Sequence, residues 1–271
     1  MQSENPVQNA MAHRWCLACV LLFCSVSSSL ARTRLADGCA RVYVDFGTNL
    51  GIQFRKLYEP HLFDAYAAAV DGNPSEPVFA SVFGQERDDV CSFGFEASPK
   101  HTARLRDLQQ AYWNTGRRVQ IFTETAVSTN TQNVSFHMSS GGTGGADGIE
   151  KGGEVLVTVR SIDLADFFKK HILTRHVPVL GGTPRILMKC DAEGYDMRVM
   201  QRLLDMDVMC HLHTVYYEAA HTTPEWMQRM RAALKQRGCD TVFLEVDDET
   251  GEGGAWFIDP ANKYFLKAPD Q

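Results

Sequence analysis

The chain has 271 residues, of which 44% are hydrophobic and 22% are charged, proportions typical of globular proteins. This length allows one large α/β domain or two small ones. The net charge is −6 at pH 7, and the basic clusters are no longer than the pairs Arg117-Arg118 and Lys169-Lys170. Because a nucleic-acid-binding surface needs a basic patch or stripe, we expect no nucleic acid partner.

The N-terminal residues 1–31 predict a targeting segment. An uncharged run occupies residues 15–31, and its apolar part, 15–26, has the length of a signal-peptide core and falls short of the ~20 residues that span a membrane. The small residues Ser29 and Ala31 suit cleavage after position 31. We expect a cleaved signal peptide, or an uncleaved signal-anchor that would be the only membrane attachment. The alternative without a targeting role is a buried helix at the start of the domain. Either targeting role predicts the secretory pathway, in the ER or Golgi lumen or outside the cell.

Translocation into the ER changes how the cysteines are interpreted. Three of the eight lie in the targeting segment, which leaves an odd set of five: Cys39, Cys91, Cys190, Cys210 and Cys239. Cys190 lies in an apolar strand and is expected in the core, whereas the other four allow one or two disulfides that the sequence cannot pair. No C-x-x-C pair or zinc-type His spacing occurs. The sequon Asn133-Val-Ser135 becomes meaningful in the same compartment.

Strand and helix patterns alternate along the rest of the chain. Strands are predicted at 42–45, 91–95, 119–127, 155–159, 185–191, 212–218, 241–246 and 255–258. Helices are predicted at 52–69, 99–114, 163–172, 195–204 and 224–237, where Ser98-Pro99 and Pro224 mark two helix starts. We expect one domain at 40–271, with insertions near 70–90 and 139–154; the second is glycine-rich and predicts a surface loop.

This alternation indicates an α/β protein with a doubly wound, Rossmann-like sheet. The last two strands are joined by the turn-rich residues 247–254, which predict a C-terminal antiparallel hairpin.

Ligands of such sheets bind beyond the carboxyl ends of the strands. Polar and acidic residues follow four predicted strands there: Asp45 to Gly51, Glu96-Ala97, Asp191-Ala-Glu193, and Glu218 to His221. Each end carries at least one acid, which is more charge than a structural edge requires. We therefore expect a binding site at this edge of the sheet.

The first of these ends predicts the kind of cofactor. Its glycines, Gly47 and Gly51, do not complete the G-x-G-x-x-G fingerprint that favours a pyrophosphate, which disfavours an NAD-dependent oxidoreductase. Asp45 and Asn49 suit the ammonium of an amino-acid-bearing cofactor, and Glu96 suits a ribose diol. S-adenosylmethionine combines both groups.

Four segments resemble the signature blocks of the FkbM family of S-adenosylmethionine-dependent methyltransferases. In chain order they are VDFGTNLG (44–51), FGFEASPK (93–100), VTVRSIDLADFF (157–168) and ILMKCDAEGYDMRVMQRL (186–203). The resemblance covers residues 42–221. It implies a seven-stranded Rossmann-like sheet whose last strand is inserted antiparallel, and O-methylation of a hydroxyl on a glycan or another small molecule.

The resemblance also implies roles for individual residues. Asp45, Gly47, Asn49 and Gly51 would line the methionine end of the cofactor, Glu96 and Ala97 the ribose, Thr125 and Ala126 the adenine, and Asp191 and Glu193 the transferred methyl group and the acceptor. Asp163 matches a family position and is interpreted as a cap of the following helix. Two features depart from the family: Ala97 stands where a proline is usual, and the insertion near 70–90 lengthens the segment before Glu96.

Methyl transfer to a hydroxyl benefits from a base, for which Asp191, Glu193 and His221 are the candidates. The carboxylates of Asp191 and Glu193 are also able to hold a divalent ion, although we predict no metal site. Two alternatives stay open: a metal-dependent glycosyltransferase that uses Asp191-x-Glu193 with Mn²⁺, and a binding module that keeps the Rossmann-like fold without chemistry.

Overall fold

Six parallel strands form the central sheet in a computed structural model of the chain. The structure describes residues 34–61, 76–139, 147–149, 154–178, 183–217 and 222–245. In sheet order the strands are β3 (Arg118–Thr123), β2 (Cys91–Glu96), β1 (Arg41–Phe46), β7 (Arg185–Cys190), β8 (Thr214–Tyr217) and β9 (Val242–Glu245). All neighbours pair in parallel, and the strand order reverses between β1 and β7. This is the topological switch point of an open α/β sheet.

Helices cover both faces of this sheet, which confirms the α/β class. One face carries α1 (Ile52–Tyr58), α2 (Glu76–Phe83) and α3 (Thr102–Asn114). The other carries α4 (Leu164–Phe167), which continues as a π-helical turn over Phe168–Leu173, and α5 (Asp196–Asp205) and α6 (Pro224–Gln236). Short 3₁₀ turns occupy Pro99–His101 and Met209–His211.

The helix starts follow local hydrogen bonding. Asp163 caps α4 as predicted, since its carboxylate accepts from the backbone N–H groups of Ala165 at 2.9 Å and Asp166 at 3.3 Å. Thr223 caps α6 ahead of Pro224. Ser98 gives no side-chain cap, and the predicted helix at 99–114 begins as the 3₁₀ turn.

The insertion near 70–90 is part of the core. Its helix α2 was not predicted, and it buries Val78, Phe79, Val82 and Phe83 against α1 and the sheet. Helix α1 ends at Tyr58, where Glu59 leaves the helical region with φ −132°, so the predicted helix at 52–69 is interrupted there. Residues 62–75 lie outside the described residues.

A second, three-stranded sheet contains β4 (Thr125–Ser128), β6 (Val155–Asp163) and β5 (Asn133–Met138), in that order. β4 pairs in parallel with β6, and β5 pairs antiparallel. The prediction of one strand at 119–127 is therefore wrong: Glu124, at φ 53°, breaks it into β3 of the large sheet and β4 of the small one. β5 was not predicted, although Val134, Phe136 and Met138 alternate with polar residues.

The remaining predictions concern the last strands of the sheet and the two ends of the chain. β9 pairs directly with β8, so no strand is inserted between them, and six strands rather than seven are described in the large sheet. The predicted last strand at 255–258, its hairpin and the targeting segment 1–31 lie outside the described residues. Within the described ranges, no helix is long and apolar enough to cross a membrane.

Two disulfides crosslink the described chain, as the cysteine count allowed. Cys39 pairs with Cys91, with Cα atoms 6.0 Å apart, and Cys210 pairs with Cys239 at 4.9 Å. Cys190 is free and buried, which confirms its predicted place in the core.

We expect a thiol reductant to destabilise the protein. The two disulfides close loops of 52 and 29 positions, and chain entropy assigns about 4 kcal/mol to each crosslink. Thermal unfolding with and without reductant measures the effect as a fall in melting temperature. Cys190→Ala is the matched control, because it keeps both disulfides and must show the same fall. A melting temperature that ignores the reductant would contradict the pairing.

Candidate functional site

A cleft of about 600 Å³, counting its open mouth, lies beside the switch point at the carboxyl ends of β1, β2 and β7, and β4 forms its far wall. Eight predicted site residues line it: Gly47, Asn49, Glu96, Ala97, Thr125, Ala126, Asp191 and Glu193. Of the other predicted residues, Asp45 is fully buried within β1, Gly51 packs against α3, and His221 lies outside the described residues. The strand-end pattern thus brings most of the candidates to one place.

Backbone hydrogen bonds hold the turn that follows β1 at the edge of the cleft. The N–H groups of Gly47 and Thr48 both donate to the carbonyl of Phe95, at 3.1 Å each. Gly47 has φ 79°, and a Cβ there would lie 1.7 Å from the carbonyl oxygen of Asp191. Only glycine lets β1 turn this closely past the end of β7.

Gly51 has a packing role that differs from the predicted ligand contact. Its φ is 81°, and an added Cβ would approach Leu108 Cδ2 to 2.4 Å and Leu105 Cδ2 to 3.2 Å. The missing side chain therefore lets the start of α1 lie against α3.

Glu96 connects the turn after β1 to the turn after β2. Its Oε2 accepts from the backbone N–H of Asn49 at 2.6 Å, and its Oε1 from that of Ser98 at 2.7 Å. Burial raises the pKa of Glu96 to about 7, although both backbone hydrogen bonds act to lower it. A carboxylate oxygen has room for more than one hydrogen bond, so Glu96 can still accept from a ligand in the cleft.

Lys189 provides the positive charge beneath the cleft. Lys189 on β7 lies directly beside Asp45 on β1, so the two side chains project to the same face of the sheet. Its Nζ lies 2.7 Å from Asp191 Oδ2, 4.0 Å from Asp45 Oδ1 and 3.4 Å from the carbonyl of Gly47. Burial raises the pKa of Asp191, and the Lys189 ammonium opposes that rise.

Asp196 shapes the loop after β7. Its carboxylate accepts from the N–H groups of Ala192 at 2.7 Å and Gly194 at 3.0 Å. Within this loop Glu193 has φ 51°, and across the cleft Asn49 has the same value. Non-glycine residues in this region are uncommon and cluster at functional sites, so both loops carry backbone strain next to the cleft.

Two buried acceptor atoms at the cleft lack a hydrogen-bond partner among the described residues. They are Asn49 Oδ1, from the turn after β1, and Asp191 Oδ1, from the end of β7. Leaving a buried acceptor unsatisfied costs roughly 1–3 kcal/mol. A ligand that donates hydrogen bonds here would recover that free energy.

The sequence interpretation missed part of the cleft wall. Asp147 lies in the segment predicted as a glycine-rich surface loop, yet it is buried and accepts from Ser139 N at 2.6 Å, Ser139 Oγ at 2.9 Å and Ser98 Oγ at 3.2 Å. A single acid among glycines carries no periodic pattern that would have identified it. Phe136 of β5 also lines the cleft, and the alternation in β5 was a detectable signal.

Comparison with protein-family models, curated proteins and solved structures found no match to this chain. The geometry of the cleft and the sequence pattern therefore carry the functional interpretation.

We expect Gly47→Ala to destabilise the fold more than Gly84→Ala. Both glycines have φ near +80°, so alanine adds roughly 1–2 kcal/mol of backbone strain at either position. Only at Gly47 does the new Cβ overlap a backbone atom, whereas no described heavy atom lies within 4 Å of it at Gly84. Urea unfolding measures both free energies. Equal losses would contradict the close packing of the turn on β7.

We also expect Glu96 to make stability fall as the pH rises towards neutral. Its pKa rises from 4.5 to about 7 on folding, so the folded state binds more protons within this window. The contribution is fully present below pH 4.5 and is lost as the pH approaches 7, with a slope of at most about 1.4 kcal/mol per pH unit. Urea unfolding of the wild type and Glu96→Gln across this window tests the sign. Parallel curves would show that Glu96 does not titrate there.

Proposed function

We propose that the protein is an S-adenosylmethionine-dependent methyltransferase that acts on a hydroxyl of a glycan or another small molecule. The observation that carries this assignment is the convergence of the Gly47–Asn49 turn, Glu96 and Asp191 on one cleft at the switch point. Open α/β sheets bind nucleotide-bearing ligands at this position. The FkbM-like sequence blocks supply the same residues.

The acceptor atoms of the cleft fit the amino-acid end of this cofactor. Asn49 Oδ1 and Asp191 Oδ1 are buried acceptors without a partner among the described residues, and they come from two neighbouring strand ends. An ammonium group donates up to three hydrogen bonds and carries a positive charge, which matches an amide oxygen beside a carboxylate. These two residues would hold the amino group.

The opposite part of the cleft suits an adenosine. Glu96 offers carboxylate lone pairs that would accept from both ribose hydroxyls, which favours its ionised form. Beyond it, Ala126, Phe136 and Ile149 provide apolar wall. Apolar walls with a few placed polar groups are typical of cofactor sites.

The bound cofactor supplies a methyl group on a positively charged sulfur. In such an in-line displacement, alignment of the acceptor and exclusion of water account for much of the rate. With Asp191 holding the amino group, Glu193 of the same loop would orient the acceptor hydroxyl and take its proton. His221 stays a sequence-based candidate for the same role.

The glycosyltransferase alternative receives less support from the contacts of Asp191. A divalent ion held by Asp191-x-Glu193 needs carboxylate oxygens, and Asp191 Oδ2 already accepts from the Lys189 ammonium at 2.7 Å. Lys189 would have to move, or the ion would bring two positive charges close to its ammonium, where the amino group of S-adenosylmethionine brings one.

The seven-stranded sheet with a C-terminal antiparallel hairpin is part of this proposal. The outer side of β9 pairs with no described strand. A strand formed by residues 255–258 would pair there, at the edge of the sheet rather than between β8 and β9.

Isothermal titration with S-adenosylmethionine tests the function. We expect saturable binding that Glu96→Gln weakens about 10- to 100-fold, since a hydrogen bond to a charged group is worth roughly 1.5–3 kcal/mol. Glu124→Gln is the matched control, because the Glu124 carboxylate is exposed and bonds to Thr102 at 3.1 Å outside the cleft. Glu124→Gln should bind like the wild type.

Two results would overturn the assignment. Heat with a nucleotide sugar and Mn²⁺, but none with S-adenosylmethionine, would favour the glycosyltransferase. Binding to Glu96→Gln that is as tight as binding to Glu124→Gln would contradict the ribose contact and, with it, the arrangement of the cofactor on which the assignment depends.

A further inference from the structure

The sequon Asn133-Val134-Ser135 lies at the start of β5. No other asparagine of the chain has serine or threonine two positions later without an intervening proline. In Asn73-Pro-Ser75 the proline blocks recognition. The sequence therefore offers one position for an N-linked glycan.

The two functional side chains of the sequon share the exposed face of β5. Asn133 and Ser135 are exposed, as expected for residues two positions apart on a strand. Val134 and Phe136 project to the other face, where they pack with Ala126 and Val159. Because Phe136 lines the cleft, a group attached to Asn133 would point away from it.

Asn133 also lies on an open edge. β5 is the outer strand of the three-stranded sheet, and in an antiparallel pair successive residues direct their backbone groups alternately towards and away from the partner. His137 uses the outer edge of β5, where it exchanges two backbone hydrogen bonds with Gly148 at 3.0 and 2.9 Å. Asn133 and Ser135 lie an even number of residues from His137, so their backbone N–H and C=O groups also face the outer edge. No described backbone group forms a hydrogen bond with them there.

We propose that Asn133 carries an N-linked glycan. The side-chain Nδ2 forms a bond to C1 of the first sugar of a lipid-pyrophosphate-linked oligosaccharide, which is the donor that an ER oligosaccharyltransferase uses. The bond between C1 and the pyrophosphate oxygen breaks. The lipid pyrophosphate leaves, and the amide nitrogen loses one proton.

The two disulfides are compatible with the compartment in which N-glycosylation occurs. Both Cys39–Cys91 and Cys210–Cys239 join cysteines that folding brings together, and such bonds persist in the oxidising lumen where glycosylation occurs. The inference depends on the targeting segment at 1–31 and is independent of the proposed methyltransferase activity.

A glycan at this position would also protect the edge of the sheet. Unpaired backbone groups on an outer strand invite pairing with a second chain, and proteins block such edges with bulky or charged groups. The glycan would cover the outward side of β5 while leaving the cleft on the other side open.

The test is expression of the full-length chain in a eukaryotic secretory cell line, followed by digestion with peptide-N-glycosidase. We expect wild type to migrate faster after digestion, with Asn133 converted to aspartate by mass spectrometry. Asn133→Gln and Ser135→Ala should migrate like digested wild type before digestion. Ser135→Thr is the matched control, since it preserves the sequon and should keep the change in migration on digestion.

Two outcomes would overturn the inference: wild type that digestion leaves unchanged, or a shift that survives in Asn133→Gln. Titration of Asn133→Gln with S-adenosylmethionine separates the two proposals, because the glycan-free variant should bind like the wild type. Loss of the glycan with binding intact therefore leaves the methyltransferase assignment untouched.

Discussion

The buried ammonium of Lys189 is the interaction on which the site depends. It lies between the carboxylates of Asp45 and Asp191, which project from two neighbouring parallel strands. Two buried carboxylates on neighbouring strand ends would repel each other and lose hydration, and the lysine between them offsets both costs. Lys189 also reaches the carbonyl of Gly47 at 3.4 Å, which ties the charge pair to the turn above it.

Several residues around Lys189 contribute unfavourably to the stability of the fold. Asn49 and Glu193 adopt left-handed backbone conformations, Glu96 is buried with a raised pKa, and the cleft atoms Asn49 Oδ1 and Asp191 Oδ1 lack partners among the described residues. Each cost lowers the free energy of unfolding, and each lies within the cleft. Such local costs are expected where a site is prepared for a ligand rather than for stability.

The sequence predicted this cleft better than its surroundings. The carboxyl ends of parallel strands must meet at one edge, so Gly47, Glu96 and Asp191 were identified as neighbours from local patterns alone. The break at Glu124 and the burial of Asp147 were not predictable in this way. Both result from the packing of the small sheet against the end of β2, which involves residues far apart in the chain.

The pairing of β1 with β7 has a consequence for how the protein folds. Val42 lies beside Ile186 in the finished sheet, so the cleft needs two strands from opposite halves of the chain. Contacts this distant in sequence form late and slowly, because a long loop must close before they are gained. On a ribosome, the β1 turn and Glu96 would emerge well before Asp191 does. The cleft would thus be among the last parts of the molecule to form, and no molecule bound in it would assist the earlier folding steps.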